Sequence, residues 1–303
     1  MKLKSLGNLS LLPVEKFNRD DAEFDFFPRP KGKTILYPLL VSKERSGYRI
    51  IYGHHLLEQF TNSGFSMIPS IIVKTRDPRD TLIAAINYHK NIGDILPSAL
   101  SKILLFMERH RLSRDPELLY LLKMADYADF CDELKRISSF PQPVRDYLDS
   151  KKAPIKVCYL TSIVTSSTKD FILSLIKRLS PSLSIFTEII YGVYEVSRRK
   201  ELDVASVVTK YGLIDSIEHG DLNSLRKQIR RLCFPTISKL NDKIEKEVKK
   251  LRLPASVKLH WDWTLERKAI SINIEFDSIS CENLRGFLSS GFYNDLKRLL
   301  DKM

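Results

Sequence analysis

Apolar residues along this chain fall into three successive regimes. In the first 95 residues, short apolar runs of strand length, Leu11–Phe17, Ile35–Val41, Tyr48–Tyr52 and Ile68–Val73, are separated by polar or helical segments. Runs of that length bounded by turn residues predict buried strands. Ser46-Gly47 between the second and third predicts a hairpin. Leu56, Leu57 and Phe60 share one face of a helix predicted over His54–Ser63, with Gly64 as its C-terminal cap. Thr81–His89 has helical spacing, and the polar, proline-containing stretch Asn18–Lys33 predicts a loop. From Pro97 the apolar period becomes three-to-four, through Leu100, Ile103, Leu104 and Met107. Further helical segments follow to about Cys233, punctuated by Pro116, Pro141, Pro143, Pro154 and Pro181, and Pro235 opens another that reaches Lys250. Near the end the period falls to two. Ile270, Ile272, Ile274 and Phe276 alternate with Ser271, Asn273 and Glu275, and Val257, Leu259 and Trp261 alternate in the same way upstream. The polar connection Asp262–Lys268 makes these two strands a hairpin, and Glu282–Leu300 is an amphipathic helix. The pattern predicts an α+β chain with an α/β head over residues 1–95, a helical domain over 96–165, a helical basic region over 166–252 and a small ββα tail over 253–303.

Composition narrows the function classes. The 303 residues carry four cysteines, Cys131, Cys158, Cys233 and Cys281, with no C-x-x-C pair. That excludes a zinc ribbon or a thioredoxin-type motif, and reduced thiols in a cytoplasmic protein are expected. No apolar stretch approaches the ~18 residues of a spanning helix. No signal peptide is expected, because the basic segment Met1–Asn8 is not followed by a long apolar region. The charge is more informative: 49 Lys+Arg against 37 Asp+Glu leave +12. Such a surplus favours a polyanionic partner, nucleic acid first. It is unevenly spread. Residues 226–252 alone hold 10 basic and 3 acidic side chains. In Ser224–Cys233, Arg226, Lys227, Arg230 and Arg231 fall on one helical face, opposite Leu225, Ile229 and Leu232. Lys246, Lys249 and Lys250 extend the charge. These seven residues are the candidate DNA-binding set, by sequence-independent contact with phosphates; the plainer reading is an ordinary solvated face.

One block of the head carries a resemblance. Pro38–Val41, then Gly47–Gln59 with Gly53-His54-His55 at the strand-to-helix turn, then Ser63-Gly64 and Ile68-Pro69, resembles the N-terminal domain of the ParB/sulfiredoxin superfamily in order and spacing. There a strand ends in a glycine that opens a helix bearing a basic motif. Asn87-Tyr88-His89-Lys90 sits where ParB proteins carry E-N-x-x-R, and Leu96-Pro97 near the proline that precedes their helical domain. Arg136–Lys152 is similar to the stretch after the family's helix-turn-helix. Leu253–His260, the Ile270–Phe276 strand and the final helix look like a ParB C-terminal dimerisation unit.

The resemblance implies a site for CTP with Mg²⁺, built on Gly53, His54, His55, Asn87 and Lys90. A helix N-terminus attracts phosphate and arginines clamp it. Here the family's arginine positions are His55, Leu56 and Glu58, and its acidic metal-holding position is Ile86. Residual nucleotide or phosphate contact is expected rather than efficient hydrolysis, and no catalytic residue is assigned. Sulfiredoxin activity is rejected, because its nucleophilic cysteine is replaced by His54 and its arginine by Leu56. The superfamily's small-molecule (amino-acid) kinases need a carboxylate near the phosphates; Asp20, Asp21, Glu23 and Asp25 are the candidates. The His54-His55 pair with His89 is the weaker candidate for a metal, against plain capping or packing roles.

The segment Leu112–Ile137 takes the place of the helix-turn-helix. Its expected second helix, Asp126–Arg136, carries four acids, which suits a structural bundle better than a recognition helix. In the tail, Trp261, Trp263, Phe276 and Phe287 are read as a small core or dimer interface rather than a ligand platform. The expected function is therefore DNA binding through the backbone in chromosome or plasmid segregation or nucleoid organisation. The expected partners are DNA, a ParA-type ATPase and a second copy held through residues 253–303. A nucleotide-dependent kinase and a scaffold without either activity are the alternatives.

Overall fold

The computed structural model describes residues 8–19, 23–27, 37–219, 221–254, 256–267, 269–275 and 291–302. The chain is α+β and divides into two compact units, residues 1–190 and 191–303. Among the described residues no helix is long and apolar enough to cross a membrane.

The first unit is built on a mixed five-stranded sheet. Its strands are β1 (Asn8–Pro13), β2 (Phe17–Asn18), β3 (Leu39–Glu44), β4 (Gly47–Tyr52) and, after helix α1 (His54–Asn62), β5 (Met67–Val73), in the order β1-β5-β3-β4-β2. The expected hairpin is β3–β4, antiparallel from Glu44↔Gly47. β5 returns parallel to β3 after α1, and β1 closes the edge antiparallel to β5. Leu39, Leu40 and Val41 are fully buried in the central strand. Two strand boundaries differ from expectation. The run expected over Leu11–Phe17 starts three residues earlier, ends its pairing at Pro13 and passes into a 3-10 turn at Val14–Lys16. The run expected from Ile35 is a strand from Leu39 on to Glu44; Ile35 lies outside the described residues.

α1 lays Leu56, Leu57 and Phe60 on Leu12, Leu39, Val41, Ile50 and Ile68. Burying side chains of this size is worth ~1.5–3 kcal/mol each. The helix ends at the expected glycine, where Gly64 N donates to Thr61 O and Phe65 N to Phe60 O. α2 (Pro78–Lys90) starts from the Asp77 cap, whose carboxylate accepts from Asp80 N at 2.8 Å.

The helical part of this unit contains α3 (Pro97–Arg109), α4 (Pro116–Leu121), α5 (Cys131–Lys135), α6 (Gln142–Ser150), α7 (Ile155–Ser167) and α8 (Lys169–Ser174). α3 is its axis, with Ala99, Leu100, Ile103, Leu104, Phe106 and Met107 buried. Its first turn is held by Asp149 of α6, which accepts from Ser98 N at 2.9 Å and Ser98 Oγ at 2.5 Å.

α9 (Leu183–Lys200) contains the division between the units. The second unit continues with α10 (Val204–Lys210), α11 (Leu213–Glu218), α12 (Leu222–Cys233), α13 (Pro235–Lys250), the hairpin β6 (Val257–Trp261) and β7 (Ile270–Ile274), and α14 (Phe292–Lys302). The hairpin register, Val257↔Ile274, Leu259↔Ile272 and Trp261↔Ile270, puts both expected apolar sets on one face. Phe276, Cys281, Phe287 and the first half of the expected final helix lie outside the described residues.

Candidate functional site

The strand β4 delivers its chain into Gly53, which takes φ 101° and opens α1. A side chain here is doubly disfavoured. The conformation is left-handed, and a Cβ would stand 3.1 Å from Leu39 Cδ2 and 3.3 Å from Leu56 Cδ1. The Gly53 carbonyl accepts from Leu56 N and Leu57 N, and no side chain caps the helix start. The turn thus keeps the feature that attracts a phosphate, a helix N-terminus on a glycine.

The side chains around it are less suited to an anion. His54 Nδ1 lies 3.9 Å from the Asp25 carboxylate, and the His55 ring sits edge-on to Tyr52 at 6.3 Å. Asn87 is half-buried on α2, and its carbonyl accepts from Asn91 Nδ2. Lys90 lines a cavity to which Gly53, His54, His55 and Asn87 contribute no wall. The two histidines thus flank the turn, and Lys90 contributes to the wall of that cavity. Ile86, at the family's metal-holding position, is fully buried among apolar residues. Among the described residues no group of three His, Cys, Asp or Glu could hold a metal. Ile86 therefore supplies no carboxylate to a magnesium–nucleotide pair. Of the kinase candidates, Glu23 is engaged by His110 Nε2 at 2.9 Å and Arg49 at 3.7 Å, Asp25 faces His54, and Asp20 and Asp21 lie outside the described residues.

His89 is a core residue. Its Nε2–H donates to Asp94 O at 2.9 Å and its Nδ1 accepts from the Tyr52 hydroxyl at 3.3 Å. Its ring stacks on Phe27 at 4.0 Å. Burial holds its pKa below the ordinary histidine range and pushes the Tyr52 hydroxyl up to about 12. Both ring nitrogens are occupied, so neither is offered to a metal.

The basic region is rearranged relative to its sequence pattern. α12 buries Leu225 and Ile229, as the amphipathic reading expects, with Cys233 rather than Leu232 completing the buried side. Its cations are not an open face, however. Lys227 Nζ meets Glu245 at 2.7 Å and Asp242 at 3.8 Å, and Arg231 meets Asp242 at 3.0 Å. The Arg230 guanidinium covers the Trp263 ring at 4.7 Å. Arg226 and Arg230 are half-buried around a cleft of about 200 Å³. The acids that meet Lys227 and Arg231 come from α13.

The uncompensated charge lies on the outside of α13 itself. Lys239, Lys243, Lys246 and Lys250 follow one another at four-, three- and four-residue steps, and all are exposed. Such steps place them on a single helical face. Lys249 is exposed beside them, and Lys250 meets Glu247 at 2.8 Å. Among the described residues Lys239, Lys243 and Lys246 have no acidic partner. Lys239 and Lys243 were not among the sequence candidates; their periodicity with Lys246 and Lys250 is the signal that marks them.

The segment in the place of a helix-turn-helix contains no long second helix. Ala125–Phe130 is a 3-10 turn interrupted at Tyr127, α5 is five residues, and Arg136–Ser139 is again 3-10. Asp126, Asp129 and Asp132 are exposed along it. In the tail, both tryptophans already have partners within the chain. The buried Asn241 side chain accepts from Trp261 Nε1 at 2.7 Å and donates to Trp263 O at 2.9 Å.

No family model and no curated protein matches the chain. Among solved structures, a match is the C-terminally truncated chromosome-partitioning protein ParB from Caulobacter crescentus complexed with CTP-gamma-S, at 16% identity over 56% of this chain and 98% of that one. Its TM-score is 0.23, below the level at which two chains share an overall arrangement.

Proposed function

We propose that this chain binds nucleic acid through the sugar-phosphate backbone, as a ParB-like protein of chromosome or plasmid partition or nucleoid organisation. The observation that carries the reading is the lysine face of α13, Lys239, Lys243, Lys246 and Lys250, exposed and only partly balanced by acids. The twelve residues from Lys239 to Lys250 span ~16 Å of helix, long enough to follow several consecutive phosphates. Lysines there act as point charges, which hold a backbone without reading bases. The acidic, broken segment Asp126–Arg136 supports the same mode, since it offers no basic helix for a groove. The sequence resemblance adds a second copy paired through the tail and a ParA-type ATPase as partners. It also adds nucleotide contact at the Gly53 turn, which the missing metal carboxylate limits to contact without magnesium chemistry.

The test is fluorescence anisotropy of a labelled DNA duplex at low and moderate salt. Binding should be tight at low salt, indifferent to sequence, and lost in a Lys243→Glu/Lys246→Glu variant. Absence of binding at low salt, or equal binding by that variant, overturns the reading.

A further inference from the structure

The first unit contains a cavity of about 620 Å³ where the loop after α2, the end of α4 and the turn into α7 meet. Small-molecule pockets fall in the same range, ~300–1,000 Å³. Its walls are mostly apolar, with Leu96, Leu100, Leu122 and Ile155 among them. Cys158 also lines it, buried, with a thiol pushed up to about 12 by burial and therefore neutral. The charged groups are three lysines and one acid, and they come from three separate places in the chain: Lys90 ends α2, Lys123 follows α4, Lys152 precedes α7, and Asp94 lies in the loop.

The acid pairs directly with one of the lysines, and its field also reaches Lys123. Lys152 Nζ meets Asp94 at 2.7 Å. Among the described residues neither Lys90 nor Lys123 makes a direct ion pair with an acid. Burial first, and then the charge of Lys123, hold the Lys90 pKa below the ordinary lysine range. Two like charges brought together at the mouth of an apolar cavity are an unfavourable arrangement for the free protein. An anion placed between them removes the repulsion and gains a charge-assisted contact with each.

We infer that this cavity binds a small amphipathic anion, with a carboxylate or phosphate between Lys90 and Lys123 and an apolar body against Leu96, Leu100 and Leu122. The site is independent of the nucleic-acid reading, which rests on α13 in the other unit. The apolar walls separate it from a site for inorganic phosphate alone.

The probe is anilinonaphthalene sulfonate, an aromatic anion that fluoresces on leaving water, titrated into the full chain. Fluorescence should saturate at about one probe per chain. Octyl phosphate and octanoate should both displace it, and the stronger competitor identifies the head group. Inorganic phosphate at the same concentration should displace little. The Lys90→Gln/Lys123→Gln variant should bind the sulfonate ~10-fold or more weakly, roughly the weight of one lost charge-assisted contact. The uncharged N-phenylnaphthylamine should bind the variant and the parent alike. Equal sulfonate affinity in the variant, or displacement by inorganic phosphate as effective as by octyl phosphate, overturns the inference. Circular dichroism checks that the variant is folded. If it is not, Lys123→Gln alone carries the same comparison, with a several-fold loss expected and no loss overturning it.

Discussion

Replacing Lys239, Lys243, Lys246 and Lys250 together by glutamine removes the exposed cation face of α13 while leaving its buried side, Ser238, Asn241 and Ile244, untouched. The four lysines span about three turns, so they can engage up to four phosphates. Each neutralised phosphate contributes about −0.9 to the slope of log affinity against log salt on duplex DNA, a total near −3.6. Between ~50 and ~200 mM salt the parent should therefore lose roughly 150-fold in affinity, and the quadruple variant should lose almost none of the little it retains. The matching control is Lys227→Gln/Arg231→Gln on α12. Those cations already face Glu245 and Asp242, so their removal should change the slope by less than about one unit. Anisotropy of a labelled duplex over a salt series measures both slopes. The reasoning is refuted if the α12 pair flattens the slope and the α13 quadruple leaves it steep. That result would mean that the α12–α13 ion pairs open to admit phosphates.

Other expectations follow from the same contacts. Gly53→Ala should cost ~1–3 kcal/mol in urea unfolding, from the left-handed backbone and the close approach to Leu39, and a neutral result would show that the turn relaxes freely. Asn241→Leu strands the Trp261 N–H and the Trp263 carbonyl, so it should cost ~2–4 kcal/mol and redden tryptophan emission; unchanged emission would remove Asn241 as the pin of the tail. His89 is held neutral by burial, so the unfolded chain takes up its proton first as pH falls below ~6.5. Stability from this group is complete above that pH and is lost toward the lower folded-state pKa. His89→Gln should flatten that part of the stability-against-pH curve, and an unchanged curve would place the acid sensitivity elsewhere. On the tail hairpin, Ile272 is 41% exposed on the apolar face, so Ile272→Glu should sediment as a monomer where the parent sediments as a dimer, as should a chain lacking residues 254–303. A parent that is itself monomeric would sink the dimer.

Much of the fold was legible because its signals are local. Apolar runs of strand length located β4 and β5, hydrophobic period located α1 and the β6–β7 hairpin, and Gly64, Pro97 and Pro235 marked one helix end and two helix starts. These signals survive in isolation because a strand face or a helix face is decided within a few residues. The segment Asp126–Arg136 was less legible. Its composition permits a helix, yet it breaks at Tyr127, and the short α5 that follows is held by Leu134, buried in the helical layer. Of the nucleotide-like turn, Gly53 and its helix start were readable from order and spacing, whereas the surroundings of His89 were not. Phe27 and Tyr52, which fix its state, lie 62 and 37 positions away in the chain.

The basic region marks the division most clearly. The sequence by itself determined that residues 226–252 carry a large positive surplus on two amphipathic helices, because charge count and helical period are properties of the chain alone. Which of those charges face water was decided only when α12 and α13 packed together. Asp242 and Glu245 then met Lys227 and Arg231, Trp263 took Arg230, and the outward lysines of α13 remained. A charge acts on a partner through the field it has left after its neighbours are counted, and those neighbours are assigned by tertiary contact, not by position in sequence.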